Sequence, residues 1–245
     1  MKKFREISFR TSSFRDELVQ SAGILIFLMF TGVLSAQTFT VDKVSGDVKY
    51  QNGSSENWLS LNSGSTIEDD AIISTGDNSS VVLSGSNVHF NLNESSAVSI
   101  SSIKKMNTDE LLLALAMEDM MNAPKEIKKS SNNTAVYGTK EGESNTLQIK
   151  TDDFGIKRLN GAVQLAKNGF QESAVVTAKE TYRKYPDTRN LPSYRIYFAN
   201  ILNDKGLYEE ALDEYVDIQK LKLTDEERAE VNEKTESIKM KLLSE

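Results

Sequence analysis

The hydrophobic pattern of this chain changes period partway along, and that change limits the possible fold more than any other feature. Between residues 39 and about 103 the apolar residues come in short alternating runs separated by Gly, Asn and Ser. After Thr151 they recur at helical spacing. Successive side chains of a strand point to opposite faces, whereas one face of a helix returns after three or four residues. A chain patterned first one way and then the other is expected to be α+β, with strands gathered before helices.

Within the alternating part, residues 41–50 read as two strands broken at Ser45-Gly46, and Gln51-Asn52-Gly53 supplies a turn. Trp58-Leu59-Ser60-Leu61 follows, with further strands expected at residues 71–74, 80–84, 87–92 and 97–101. A strand about every 10 residues suits a sandwich, a barrel or a solenoid equally well. Val88, Phe90 and Leu92 alternate inward, which puts His89, the one histidine, on the solvent side.

That histidine matters because the chain has no cysteine at all. Zinc sites built from Cys and His cannot form within one chain, and a hydrolase would have to rely on His89 alone as its base. Glu68, Asp69 and Asp70 are adjacent acids before a strand and read as a polar turn, since hard-cation loops space their oxygen ligands. No catalytic centre, metal or cofactor is expected. Lys and Arg total 29 against 36 acids, a formal charge of -7 with no long basic run, which argues against a nucleic-acid partner.

The only long apolar run covers residues 22–34. Lys2, Lys3, Arg5, Arg10 and Arg15 precede it and Ser35-Ala36-Gln37 follows. This is the three-part layout of a secretory signal peptide, expected to be cleaved after Ala36. The run is roughly 13 residues, short of the roughly 20 that span a bilayer, so no stable membrane span is expected after cleavage. The exported form would carry a formal charge of about -9. The charged stretch before the run is longer than most, which leaves a retained anchor as the alternative.

The order VDKVSGDVKY, WLSLNSGSTI, AIISTGDNSSVVL and VHFNLNESSAVSI resembles the FecR domain. Val44, Gly46 and Val48 match that family's opening, Ile73, Thr75, Gly76 and Ser79 its central element, and Leu92, Ser96, Val98 and Ile100 its later one. Asp69-Asp70-Ala71 departs from the family's usual turn, and Thr134-Ala135-Val136-Tyr137-Gly138-Thr139 resembles a later element whose following strands are hardly present. The resemblance implies a small, twisted, solenoid-like β domain over residues 37–103 that binds or transmits. The Gly, Ser and Thr positions themselves read as turn formers and corner hydroxyls.

Residues 104–150 form a connector. Thr108-Asp109-Glu110 should cap a helix over about 108–122, apolar on nearly every side and therefore buried, followed by an exposed Lys/Ser/Asn-rich linker at 124–133 and a short β element. In residues 151–245 two segments share a pattern, Gly169 with Ala174 and Gly206 with Ala211, at a spacing near the tetratricopeptide period. The glycines permit a tight turn, and the alanines let paired helices approach closely. Pro186 ends the first pair, and Thr224 with Glu227 forms a capping box that opens a last helix. The second half thus resembles a tetratricopeptide-like hairpin stack.

The fold expected from these readings has two domains, the FecR-like β domain and the helical module. The function expected is that of an exported, periplasmic or secreted, non-catalytic envelope protein. Its β domain would recognise an envelope component and its repeats would bind a protein partner. The alternative is a FecR-like periplasmic sensor regulating a sigma-factor system. In a tetratricopeptide-like stack the first helix of each pair lines the groove. This assigns Asn160, Val163 and Lys167, then Tyr197, Asn200 and Asp204, to the partner-binding side.

Overall fold

The computed structural model describes residues 38–53, 55, 57–85, 88–123 and 151–244. Eight strands come first: β1 (Phe39–Ser45), β2 (Val48–Gln51), β3 (Leu59–Ser60), β4 (Thr66–Ile67), β5 (Ile72–Thr75), β6 (Ser80–Gly85), β7 (Val88–Leu92) and β8 (Ala97–Ser99). Six helices follow among the described residues: α1 (Thr108–Asn122), α2 (Thr151–Lys167), α3 (Gln171–Lys184), α4 (Pro192–Asp204), α5 (Tyr208–Ile218) and α6 (Asp225–Leu242). The chain is α+β, as the change of period requires. None of these helices is long and apolar enough to cross a membrane.

The strands pair antiparallel in two four-stranded sheets, ordered β4-β1-β6-β7 and β3-β2-β5-β8. This is not the stack of coils that a solenoid requires, because β1 and β2 pair with strands of different sheets rather than with successive turns. Alternation sets the buried faces: Phe39 and Val41 on β1, Val81 and Leu83 on β6, Phe90 and Leu92 on β7, with Val48 and Ile73 from the second sheet. His89 is exposed between Val88 and Phe90, on the face its alternation assigned. β4 escapes the sequence pattern because two residues are too few to alternate. Ile100 and Ser101, expected in the last strand, instead belong to a short 3-10 segment, Ile100–Ser102.

In the helical half, α2 with α3 and α4 with α5 form hairpins, and α6 packs on the second. Gly169 and Gly206, at φ 88° and 78°, take the left-handed conformation that the inter-helix turns need. The buried positions repeat about every 37 residues. Leu159, Ala162, Leu165, Ala174 and Ala178 recur as Ile196, Ala199, Leu202, Ala211 and Tyr215, all within the core. A 3-10 turn, Pro186–Asn190, separates the hairpins. Thr224 and Glu227 exchange both capping-box hydrogen bonds at the start of α6.

Helix α1 has the expected bounds but a different cap and a different environment. Asn107 caps it in a box with Glu110, so Thr108 is the first helical residue. Only one face is buried, through Leu111, Leu115 and Glu118. Leu113, Met117, Met120 and Met121 lie exposed, which corrects the expectation of a helix buried on all sides.

The structure shows no division between the two halves. Gln37–Glu245 make up one compact unit with a continuous hydrophobic core. α2 lies against β8, where a Cβ on Gly161 would stand 1.9 Å from the Ala97 carbonyl oxygen. Phe90 on β7 meets Phe170 with ring centres 6.2 Å apart, and Trp58 meets Phe154 edge-on at 5.7 Å. The Ser173 hydroxyl donates to the Lys104 carbonyl at 2.7 Å, and Arg183 pairs with Glu118 at 2.8 Å. The expected leader, the linker at 124–133 and the element at 134–139 lie outside the described residues.

Candidate functional site

Where α2 crosses the ends of both sheets it leaves an open polar cleft of about 660 Å³. Two loops form one wall, the β5–β6 loop through Asn78 and Ser79 and the β7–β8 loop from Asn93 to Ser96. The opposite wall is the face of α2 that carries Asn160, Val163, Gln164 and Lys167.

The sheet wall is held by buried hydroxyls. Thr75, fully buried, donates to the Asn93 carbonyl at 2.6 Å, and its oxygen accepts from the Ser96 amide at 3.0 Å. The Ser79 hydroxyl accepts from the Asp47 amide at 2.9 Å and donates to the Asp77 carbonyl at 3.0 Å. Thr75 and Ser79 of the Thr-Gly-x-x-Ser element therefore act as the corner hydroxyls that the sequence suggested. They tie loops from three strand connections together. Asn78 and Ser95 both have positive φ, 52° and 49°. The Asn78 amide donates to the Glu94 carboxylate at 2.7 Å, and the Ser95 hydroxyl donates to Asp77.

The helix wall is tied to this frame by amides. Asn160 donates to the Ser95 carbonyl at 2.7 Å and accepts from the Tyr194 hydroxyl. The Asn93 amide donates to Gln164 at 3.0 Å, and Lys157 donates to the Thr75 carbonyl at 3.1 Å. At the end of α2, Asn168 exchanges two hydrogen bonds with the backbone of Asn91, both at 3.2 Å. Lys167 is exposed and makes no ion pair among the described residues, so it brings a positive charge to a cleft whose lining also carries the Glu94 carboxylate.

The six residues that the sequence assigned to the partner-binding side separate into three kinds. Asn160, Val163 and Lys167 do line one cleft, although Asn160 uses both ends of its amide to dock α2. Asn200 is an internal joint: it donates to Glu230 on α6 at 2.9 Å and accepts from the buried Tyr215 hydroxyl. Its removal would leave that hydroxyl unpaired, so it does not serve as a free groove residue. Tyr197 is half-buried and packs on the core, while Asp204 is exposed; neither lines the cleft. Asn78, Asn93, Glu94, Ser95 and Gln164 were missed. Each reads in sequence as an ordinary turn or surface residue, and only the approach of α2 to β8 brings them together.

A second, charged cavity of about 220 Å³ lies among α1, α3, α4 and α5. Its charges are largely spent on one another, with Glu214 accepting from Lys179 and, at 2.9 Å, from Arg195. Burial alone would raise the pKa of Glu214, but these two cations outweigh it and hold the carboxyl below its ordinary range. Burial pushes the Tyr182 hydroxyl well above the usual tyrosine range, so it stays protonated. Among the described residues no group of three or more acid, His or Cys side chains is placed to share a cation.

The polar cleft is thus the surface best furnished to hold a ligand through hydrogen bonds, with one positive and one negative side chain in its lining. Comparison with protein-family models, with curated proteins and with solved structures finds no match to this chain.

Proposed function

We propose that this chain is an exported, non-catalytic binding protein of the cell envelope. In this reading a FecR-like pair of sheets and the first hairpin of a tetratricopeptide-like stack grip one polar partner between them. The observation that carries it is the cleft itself, walled by Ser, Asn and Gln side chains together with the Glu94 carboxylate and the Lys167 ammonium. Groups of this kind recognise amide, hydroxyl or carboxylate partners and offer no activated nucleophile. The resemblance of residues 39–103 to FecR domains supports a role in binding or transmitting, and the layout of residues 1–36 supports export.

The test is capture from envelope extract by the wild type and by a Gln164→Ala, Lys167→Glu variant, with mass spectrometry of what is retained. Lys167 is exposed and Gln164 gives up one exposed hydrogen bond from Asn93, so melting temperature should fall only slightly while capture of any specific partner weakens by about 1–3 kcal/mol. Equal capture by both proteins would remove the cleft from the account. Terminal sequencing of protein from the native host should return an N-terminus near Gln37. A membrane-bound species beginning at Met1 would instead favour the sensor-regulator reading.

A further inference from the structure

Tyr182, on α3, is 6% exposed, and its hydroxyl has no hydrogen-bond partner among the described residues. Buried polar groups are paired as a rule, so an unpaired one marks a space that something fills. Tyr182 lines the cavity of about 220 Å³ among α1, α3, α4 and α5. The charges that act on its hydroxyl, those of Glu214 and Arg195, belong to the same lining. Burial keeps the hydroxyl protonated, which makes it a donor without an acceptor.

The lining carries three cations, Lys179, Arg189 and Arg195, and three carboxylates, Asp119, Glu214 and Asp217, so its formal charge is zero. Four of the six are spent within the protein. Lys179 and Arg195 share Glu214, and Asp217 accepts from Lys220 at 2.7 Å. Arg189 and Asp119 are exposed and make no ion pair among the described residues. The Arg189 guanidinium donates to the Tyr182 carbonyl at 3.0 Å and to the Asn122 side chain at 2.9 Å, both neutral acceptors. Asn122 is three residues beyond Asp119 on α1, and side chains so spaced are neighbours about 5–6 Å apart on a helix surface. An unspent guanidinium and an unspent carboxylate thus stand about one helical turn apart at the mouth, with the unpaired hydroxyl in the wall.

We propose that this cavity holds a free α-amino acid with an uncharged polar side chain, its carboxylate on Arg189, its ammonium on Asp119 and its side-chain oxygen accepting from Tyr182. A lining of zero formal charge favours a ligand of zero net charge, while separated unspent charges of opposite sign favour a dipolar one. The volume lies below the roughly 300–1,000 Å³ of pockets for drug-sized ligands, which suits a molecule of this size rather than a peptide. The cavity shares no lining residue with the polar cleft, so this site is separate from that one.

The test is isothermal titration calorimetry of protein recovered from the native host, at constant ionic strength, with L-serine, L-threonine, L-asparagine and L-glutamine as probes. At least one should bind saturably with a Kd of about 1 mM or tighter. The N-acetyl derivative and the amide of that amino acid, which remove its positive and its negative charge, should each bind about ten-fold more weakly. Asp119→Asn should erase the preference over the N-acetyl derivative, and Arg189→Gln the preference over the amide, a selective pairing that a merely structural role does not produce. Tyr182→Phe should weaken binding about ten-fold while the melting temperature of the free protein stays the same or rises, since only an unpaired hydroxyl is removed. Gln164→Ala with Lys167→Glu, in the polar cleft, should bind as the wild type does. Absence of saturable binding by all four probes would overturn the proposal and leave the hydroxyl to water. Equal affinity for the two derivatives, or full affinity in Tyr182→Phe, would overturn it as well, and loss of binding in the cleft variant would place the amino acid in the cleft instead.

Discussion

Thr75 shows how one hydroxyl sets the shape of the cleft. It is fully buried, donates to the Asn93 carbonyl and accepts from the Ser96 amide, so the β7–β8 loop is fixed through a single oxygen. Thr75→Val keeps the shape but leaves those partners unsatisfied, and should cost about 1–3 kcal/mol in urea denaturation, whereas Thr75→Ser should recover most of it. An equal loss in both variants would assign the effect to the methyl group instead. Glu214 gives a second prediction at this scale. Its carboxyl is held below its ordinary pKa by Lys179 and Arg195 against the opposing effect of burial. The stabilisation is therefore complete above the unfolded value near 4.5 and is lost as pH falls through the lower folded one. Melting temperature should drop on acidification below about pH 4.5, and Glu214→Gln should flatten that drop while lowering stability at neutral pH. A variant with the parent's acid profile would show that other carboxylates control it.

At the scale of elements, packing of α2 on β8 decides whether sheets and helices form one body. Gly161 in the middle of α2 allows it, since a Cβ there would meet the Ala97 carbonyl at 1.9 Å, and Ala97 is held in β8 opposite Ser74 of β5. Gly161→Ala would gain ~1 kcal/mol in helix propensity, but neither backbone can yield easily, and a net loss of about 1–3 kcal/mol is expected. A more stable variant in thermal melts would contradict the close approach. The same contact explains what was legible in the sequence. Alternation gave seven of the eight strands, and the Gly169/Gly206 and Ala174/Ala211 pairs gave the hairpins, because these signals are local. Helix α1 was legible in its extent but not in its faces: its apolar residues fall on nearly every side, so periodicity does not tell which side meets α3. The cleft was half legible. Asn160 and Lys167 follow from counting back from Gly169, whereas Asn93 and Glu94 come near them only through contacts some 70 residues apart, such as Asn93 to Gln164. Tyr197, Asn200 and Asp204 occupy the equivalent places one repeat later. There α5 and α6, not a β wall, are the neighbours, and Asn200 becomes an internal joint.

At the scale of the whole molecule, the account stands on one claim: the sheets and the hairpins fold as a single unit, and the cleft exists only because they do. Composition pointed to two domains because the change of period coincides with a Lys/Ser/Asn-rich stretch. The hydrophobic core nonetheless runs without interruption from Phe39 through Ile238. Trp58, the only tryptophan, sits on the sheet side with its ring against Phe154 of α2, and most of the helix signal arises from α2 to α6. The decisive measurement is urea unfolding followed in parallel by tryptophan fluorescence and by circular dichroism at the helix band. A single unit predicts coincident transitions with one midpoint and one slope. Two separated transitions, with the helices melting while Trp58 keeps its native emission or the reverse, would mean two independent domains and would contradict a cleft built jointly by both.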